Sequence, residues 1–172
     1  TMSVTAQRGG TAFLDDTGST LYIGPNGDMR AIFQGGSIDD KQRNNVYATT
    51  GHLPSSFFVP AKLHWWRQHR ARIARHIATV ASLGAWCAYQ LTGNLAETST
   101  TMIELGLADM ATGLPASKLL EQLNVSLDLL PTTVSPAEPI GHLTGAIAPL
   151  VGLHTGIQVF LAGPDTQIAA LA

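Results

Sequence analysis

The hydrophobic period of this chain changes part-way along it, and that change narrows the fold more than any other feature. Near the N-terminus the apolar runs are short and bounded by glycine and aspartate: Ser3 to Ala6, Thr11 to Leu14 and Leu21 to Ile23. Such runs predict short strands, with Gly9-Gly10 and Asp15-Asp16-Thr17-Gly18-Ser19 as the turns between them. Gly24-Pro25-Asn26-Gly27 breaks regular structure, and residues 32–56 are polar and weakly patterned, which predicts a short helix plus loop. From Pro60 onward Leu63, Trp66, Ile73, Ile77 and Val80 recur at helical spacing, with Arg67, Arg70, Arg72 and Arg75 between them. This pattern predicts helices over about 60–69 and 70–78, a strand near 79–83 and a helix to Leu91. Thr92-Gly93 ends that helix, because glycine accepts the left-handed conformation of a C-terminal cap. A helix is expected near 116–123, and another opening at Thr144, capped by its hydroxyl and distorted by Pro149. Ile157 to Leu161 reads as a buried strand and residues 166–172 as a helix start. Strands first, then helices with strands between, indicate a mixed α/β domain.

Composition sets the outer limits. A chain of 172 residues is one domain long and can bury one sizeable core. Only 13% of residues are charged and the formal net charge is −2, so there is no electrostatic case for nucleic acid or an anionic membrane. So few charges in a lone domain suggest that part of its surface is normally covered. Cys87 is the single cysteine and cannot form an internal disulfide, which fits a reducing cytoplasm. It lies in an apolar helical stretch and reads as a small core residue. The most apolar stretch, Ala78 to Tyr89, is too short to span a bilayer.

Chemistry concentrates at Gly163-Pro164-Asp165-Thr166-Gln167. An apolar strand there delivers an aspartate at its carboxyl end, where open α/β sheets place their ligands, and a carboxylate can accept a proton from a hydroxyl. An ordinary turn or helix-capping aspartate has the same spacing. Gln7-Arg8-Gly9-Gly10 ends another strand; Gln and Arg offer directional donors, though a plain hairpin or bulge also explains the glycines. Asp16-Thr17-Gly18-Ser19 spells the aspartic-protease motif, and its letters are similar to the D-x-G-T phosphate loop of actin-like kinases. A β-turn between two strands is the simplest account. The basic run from Arg67 to Arg72 reads as a solvated helix face, and Trp65 and Trp66 as core. The six histidines show no metal-ligand spacing, so no transition metal is expected.

Taken in order, these segments resemble the FGGY family of carbohydrate kinases from about Val4 to the last residue. Val4 to Gly10 resembles the family's strand ending in a Gln that leads into sugar-contacting residues. Phe13-Leu14-Asp15 through Gly18 and Leu21 resembles its hairpin, and Asp28-Met29-Arg30-Ala31 its D-x-R-A segment. Thr50-Gly51 followed by Pro60-Ala61-Lys62-Leu63-His64-Trp65 is similar to its "TG … P-x-K-L-x-W" passage. Tyr89 to Gly93, Glu97-Thr98-Ser99, Leu129 to Pro131, Ile140 to Thr144, Gly152-Leu153 and Gly156 to Val159 keep the family's order. Gly163 to Gln167 resembles its G-x-D-T-Q.

The resemblance implies an incomplete actin-like (ribonuclease-H-like) α/β domain, its short antiparallel strands followed by mixed helices and strands. It implies Asp165 as the base that deprotonates a sugar hydroxyl for attack on the γ-phosphate of Mg-ATP. Gln7, Arg8, Gly9 and Asp28 would line the sugar site, and Gly163 and Thr166 would border the nucleotide. ATP and Mg2+ would be bound mostly by regions absent from this chain, which looks like the partial N-terminal, sugar-binding domain over residues 1–172. Little activity and an exposed sheet edge are therefore expected of the chain alone. The partner is a small sugar or polyol, and a homodimer of the full-length enzyme is compatible with the resemblance. Asn26 stands where the family often has tryptophan, in an Asn-x-Asp-x-Arg-Ala run similar to that of autoinducer-2 kinases. This leaves a linear or branched pentose-derived substrate open. Pro164 replaces the usual small residue before the aspartate. A non-catalytic carbohydrate-binding module of the same fold, or half an aspartic protease, are the competing readings.

Overall fold

The computed structural model describes residues 1–171. Two three-stranded sheets share the apolar helix α4 (Leu83–Thr92), which packs against both. The first sheet has the order β1-β8-β7. Strand β1 (Met2–Ala6) runs parallel to β8 (Gln158–Pro164), and β7 (Gly141–His142) runs antiparallel on the other side. The second has the order β3-β2-β4, in which β2 (Thr11–Leu14) pairs antiparallel with both β3 (Thr20–Gly24) and β4 (Thr79–Ser82). A two-stranded parallel ribbon of β5 (Ala96–Thr98) and β6 (Thr132–Val134) completes the strands. All four residues of β2 are buried, as befits a central strand covered on both faces. The first strand does not pair with the second, as its neighbour in sequence would. Its partner comes from the far end of the chain, so Arg8 and Asp165 leave adjacent parallel strands at the same end.

The Asp15–Ser19 turn is the hairpin loop between β2 and β3. The Asp15 carboxylate accepts from the backbone amides of Thr17 and Ser19 at 2.9 and 2.8 Å and from the Thr17 hydroxyl at 2.6 Å. That hydroxyl, first, and the amides hold the carboxyl below its ordinary range. Asp16 is an exposed residue of this turn, and the helix-rich fold differs from the all-β architecture expected of half an aspartic protease.

Three expectations need correction. Residues 32–50 form one 19-residue helix, α1 (Ile32–Thr50), where a short helix and loop were expected. Its buried side is narrow and partly polar, made of Gln34, Gly35, Ile38, Val46 and Thr50, so the sequence carries almost no amphipathic signal. Gly35 is required there: a Cβ would come within 2.6 Å of the Ser55 backbone. The helix expected over 70–78 is the single turn α3 (Ala71–Ala74), after a break at Arg70. No helix opens at Thr144; residues 145–152 are a run of turns, because Pro149 has no amide to donate and Gly145 favours none.

The core forms where α2 (Val59–His69) lies over the β3-β2-β4 sheet. Phe13, Tyr22 and Trp66 meet with ring centroids 5.1–6.0 Å apart, and Leu63, Val80, Met102, Leu105 and Leu120 close around them. The helix α5 (Ser99–Glu104) supplies Met102, with Leu105 capping its end, and α6 (Ser117–Gln122) supplies Leu120. On the other side of the sheet, α4 packs Ala85 and Ala88 against Ala12, Leu14, Val159 and Leu161. Alanine on both partners permits close helix–sheet approach. No described helix is long and apolar enough to cross a membrane.

Candidate active site

Asp165 opens the short helix α7 (Asp165–Ala169) directly after β8, and it is exposed. Its Oδ1 accepts from its neighbour Thr166 N at 2.8 Å and from Arg8 N at 3.2 Å. Among the described residues no group donates to Oδ2. Pro164, with φ −64°, is buried as the last residue of β8, so the departure at this position leaves the strand end extended. Gly163 has φ 102°, a region that favours glycine, and its carbonyl accepts from the Thr5 hydroxyl at 2.8 Å. Thr166 turns its hydroxyl to Gln167 Oε1 at 2.8 Å.

The turn after β1 lies beside this aspartate. Gln7, Arg8, Gly9 and Gly163 line one small void, together with the buried Glu97. The Gln7 side chain accepts from Asn26 N at 2.9 Å, which ties the turn to the Gly24–Gly27 segment. Asn26 also abuts Gly9, its Cβ 3.5 Å from the position a Gly9 Cβ would take. The residue standing in the family's tryptophan position therefore does sit against the turn. Arg8 and Gly9 also line a larger cleft of about 320 Å3 with Tyr47, His52, Phe57 and Glu104. That is the lower end of the ~300–1,000 Å3 typical of small-molecule sites, and its mixture of rings and polar groups suits a small hydroxylated ligand.

Asp28 is held apart from these residues. Its carboxylate accepts the Tyr22 hydroxyl and a fork from Arg30, with Nε at 2.9 Å and Nη2 at 2.6 Å. Arg30, first, and Tyr22 hold the Asp28 carboxyl well below the usual range, while burial and Asp28 raise the Tyr22 phenol. The Arg30 guanidinium lies 4.8 Å from the Trp65 ring, which fixes it further. Asp28 lines neither the void nor the cleft.

Three residues near the site were given no role by the sequence reading. Lys62, 3% exposed, donates from Nζ to Gly9 O and to Thr11 Oγ1, both at 2.9 Å, and burial lowers its pKa to about 8. Its position in a P-x-K-L-x-W passage was visible, but its reach of more than fifty residues back to Gly9 was not. Glu97 is fully enclosed; its Oε2 accepts from Ser82 N at 3.0 Å and its Oε1 from Thr98 N at 3.1 Å, and burial raises its pKa. Glu104 ends α5 with its side chain 9% exposed; it forms an ion pair with Arg8, whose Nε is 3.2 Å away, and accepts from Gln167 Nε2 at 2.7 Å. Nothing near it in sequence marks it as special.

Comparison with known proteins decides what this arrangement belongs to. Residues 1–172 match the N-terminal domain of the FGGY family of carbohydrate kinases along their whole length. The chain belongs to that family. The FGGY chain is 29% identical over 178 residues to an autoinducer-2 kinase of Escherichia coli K12, covering 99% of this chain and 33% of that protein. Among solved structures it superposes on a gluconate kinase from Lactobacillus acidophilus with a TM-score of 0.88 at 17% identity, covering 96% of this chain and 34% of that one. On a xylulose kinase from Rhodospirillum rubrum the TM-score is 0.85 at 25% identity, with 99% and 36% covered. The actin-like fold implied by the sequence is therefore the fold observed. The chain spans about a third of the length of the relatives it matches.

Proposed function

We propose that this FGGY domain forms the sugar side of an ATP-dependent carbohydrate kinase and that Asp165 is its catalytic base. The observation that carries the proposal is the pairing of β1 with β8. It sets the exposed Asp165 carboxylate within hydrogen-bond distance of the Arg8 turn, at the carboxyl ends of two parallel strands. Oδ1 is occupied by two backbone amides, which fix the carboxylate plane, while Oδ2 has no described protein donor and is left to accept a substrate proton.

In this reading Arg8, Gly9 and Gln7 receive the sugar. Arg8 supplies donors, Gly9 admits close approach of the ligand to backbone, and Gln7 holds the turn against Asn26. Asp28 contributes at one remove, through the Arg30 and Tyr22 cluster beside Lys62 and Gly9. ATP with Mg2+ is the phosphoryl donor. Gly163, around which a side chain would meet nothing within 4 Å, leaves room beside the base, so it and Thr166 would border the transferred group. Most of the nucleotide contacts would come from parts of the protein beyond these residues. Phosphoryl transfer depends chiefly on alignment and charge neutralisation, so a fixed base and a shaped cleft are the main requirements on this side.

The test is phosphorylation of a panel of sugars and polyols by the full-length protein, wild type against Asp165→Asn. The variant is expected to lose about 10²–10⁴-fold in turnover while still binding sugar. Normal turnover by the variant would refute the assignment.

A further inference from the structure

We propose that Glu104 is a positioning and specificity residue of the sugar cleft: it orients Arg8 by its Nε and cancels its charge, so that the site selects neutral polyols over sugar acids. This deepens the kinase reading and rests on it.

One carboxylate joins three separate segments around the proposed base. Glu104 Oε2 forms an ion pair with Arg8, 3.2 Å from its Nε, on the turn after β1. Oε1 takes Gln167 Nε2 at 2.7 Å, from α7, two residues beyond Asp165. The His52 ring nitrogen lies 3.7 Å from the same Oε1, on the segment that follows the Gly51 cap of α1. Arg8, His52 and Glu104 all line the 320 Å3 cleft. The Glu104 carboxylate is 9% exposed and the Arg8 side chain 47% exposed, so one partner is embedded and the other reaches toward solvent.

The consequences follow from guanidinium chemistry. Paired with Glu104 on its Nε edge, the Arg8 guanidinium is biased toward one orientation, and its terminal nitrogens, which have no acceptor among the described residues, remain free to donate. A fork of this kind suits adjacent hydroxyls or a carboxylate. Charge discriminates between those two. The charged groups at the cleft are Arg8 and Glu104, with His52 beside them and Asp165 beyond the Arg8 backbone. With the arginine already paired, an incoming carboxylate would meet no uncompensated cation and would be repelled by Glu104 and Asp165. Hydroxyls incur no such penalty.

The experiment compares full-length wild type, Glu104→Gln, Arg8→Met and the double variant. Substrates are neutral polyols and ketoses of five and six carbons and the aldonic acids of the same length. Glu104→Gln is isosteric, and it is expected to raise KM for neutral substrates about tenfold with a smaller change in kcat. It should also shift the acid-to-neutral ratio of kcat/KM about tenfold toward the acids. In the Arg8→Met background the same substitution should leave the KM for neutral substrates unchanged, because Glu104 meets them through Arg8, while the ratio still moves toward the acids as the repelling carboxylate is removed. A merely structural Glu104 would lower the melting temperature in both backgrounds and leave the ratio unmoved, which would overturn the inference while Asp165→Asn still abolished turnover. If Glu104→Gln does not fold, Arg8→Met alone decides: unchanged KM for neutral substrates overturns the inference. Failure of the wild type to phosphorylate any sugar would overturn the kinase reading and this inference with it.

Discussion

Lys62 offers a direct test of how the turn beside the base is held. Its ammonium is buried, and its folded pKa of about 8 lies below the ordinary 10.5. Burial is the main cause; the Asp28 carboxylate opposes it and the Arg30 charge adds to it. The sign follows from proton counts. Between these two values the unfolded chain holds a proton that the folded chain has released, so stability rises as pH rises through that window. From pH 7 to about pH 9.5 the folded lysine becomes almost wholly neutral while its unfolded counterpart stays about nine-tenths charged, a gain of about 2 kcal/mol. The neutral amine still carries two N–H groups, enough for Gly9 O and Thr11 Oγ1, so the turn keeps its anchor. The assay is urea unfolding followed by tryptophan fluorescence at both pH values, wild type against Lys62→Met. The wild type should gain about 2 kcal/mol relative to the variant over that interval, at unchanged denaturant slope. Equal pH dependence in the two proteins would refute the reasoning, since it would mean that the lysine is not held partly desolvated.

Other tests address the core and the second buried ionisable group. Phe13 is fully buried between Tyr22 and Trp66, so Phe13→Ala should cost about 3–5 kcal/mol, read as a lower urea midpoint. Glu97 has its pKa raised by burial, so above its ordinary 4.5 the unfolded chain releases a proton that the folded chain retains, and stability falls as pH rises from there. In Glu97→Gln that decline should be absent, and thermal melts from pH 4 to pH 7 measure it.

Much of the candidate site could be read in order along the chain, because its residues lie where strands end. Gln7-Arg8-Gly9 and Gly163-Pro164-Asp165 each follow an apolar run, and their collinear resemblance to one family supplied the connection between them. Local signals also placed the helix end at Gly93, whose φ of 76° and bond to Tyr89 O are those of a left-handed cap. The same pair of residues ends α1: Thr50 and Thr92 each return a hydroxyl bond of 2.8 Å to the carbonyl four residues back, and Gly51 has φ 72°. Thr50-Gly51 could therefore have revealed the long helix that its weak hydrophobic pattern concealed.

By itself, the sequence determined the class of fold, the strand that delivers Asp165 and the glycine turn that faces it. Those features depend on period, chain reversal and residue type, which act over a few neighbours. Only the tertiary structure decided that β1 pairs with β8, that Lys62 anchors Gly9, that Asp28 is engaged by Arg30 and Tyr22, and that Glu104 gathers Arg8 and Gln167. Most of these contacts join groups far apart in the chain, through backbone pairing, burial and charge. Asp28 and Arg30 are close in sequence, yet the Trp65 and Tyr22 rings that turn them toward each other come from different elements. A carboxylate's role depends on which donors the fold brings within about 3 Å of it, and that arrangement exists only once the layers have packed.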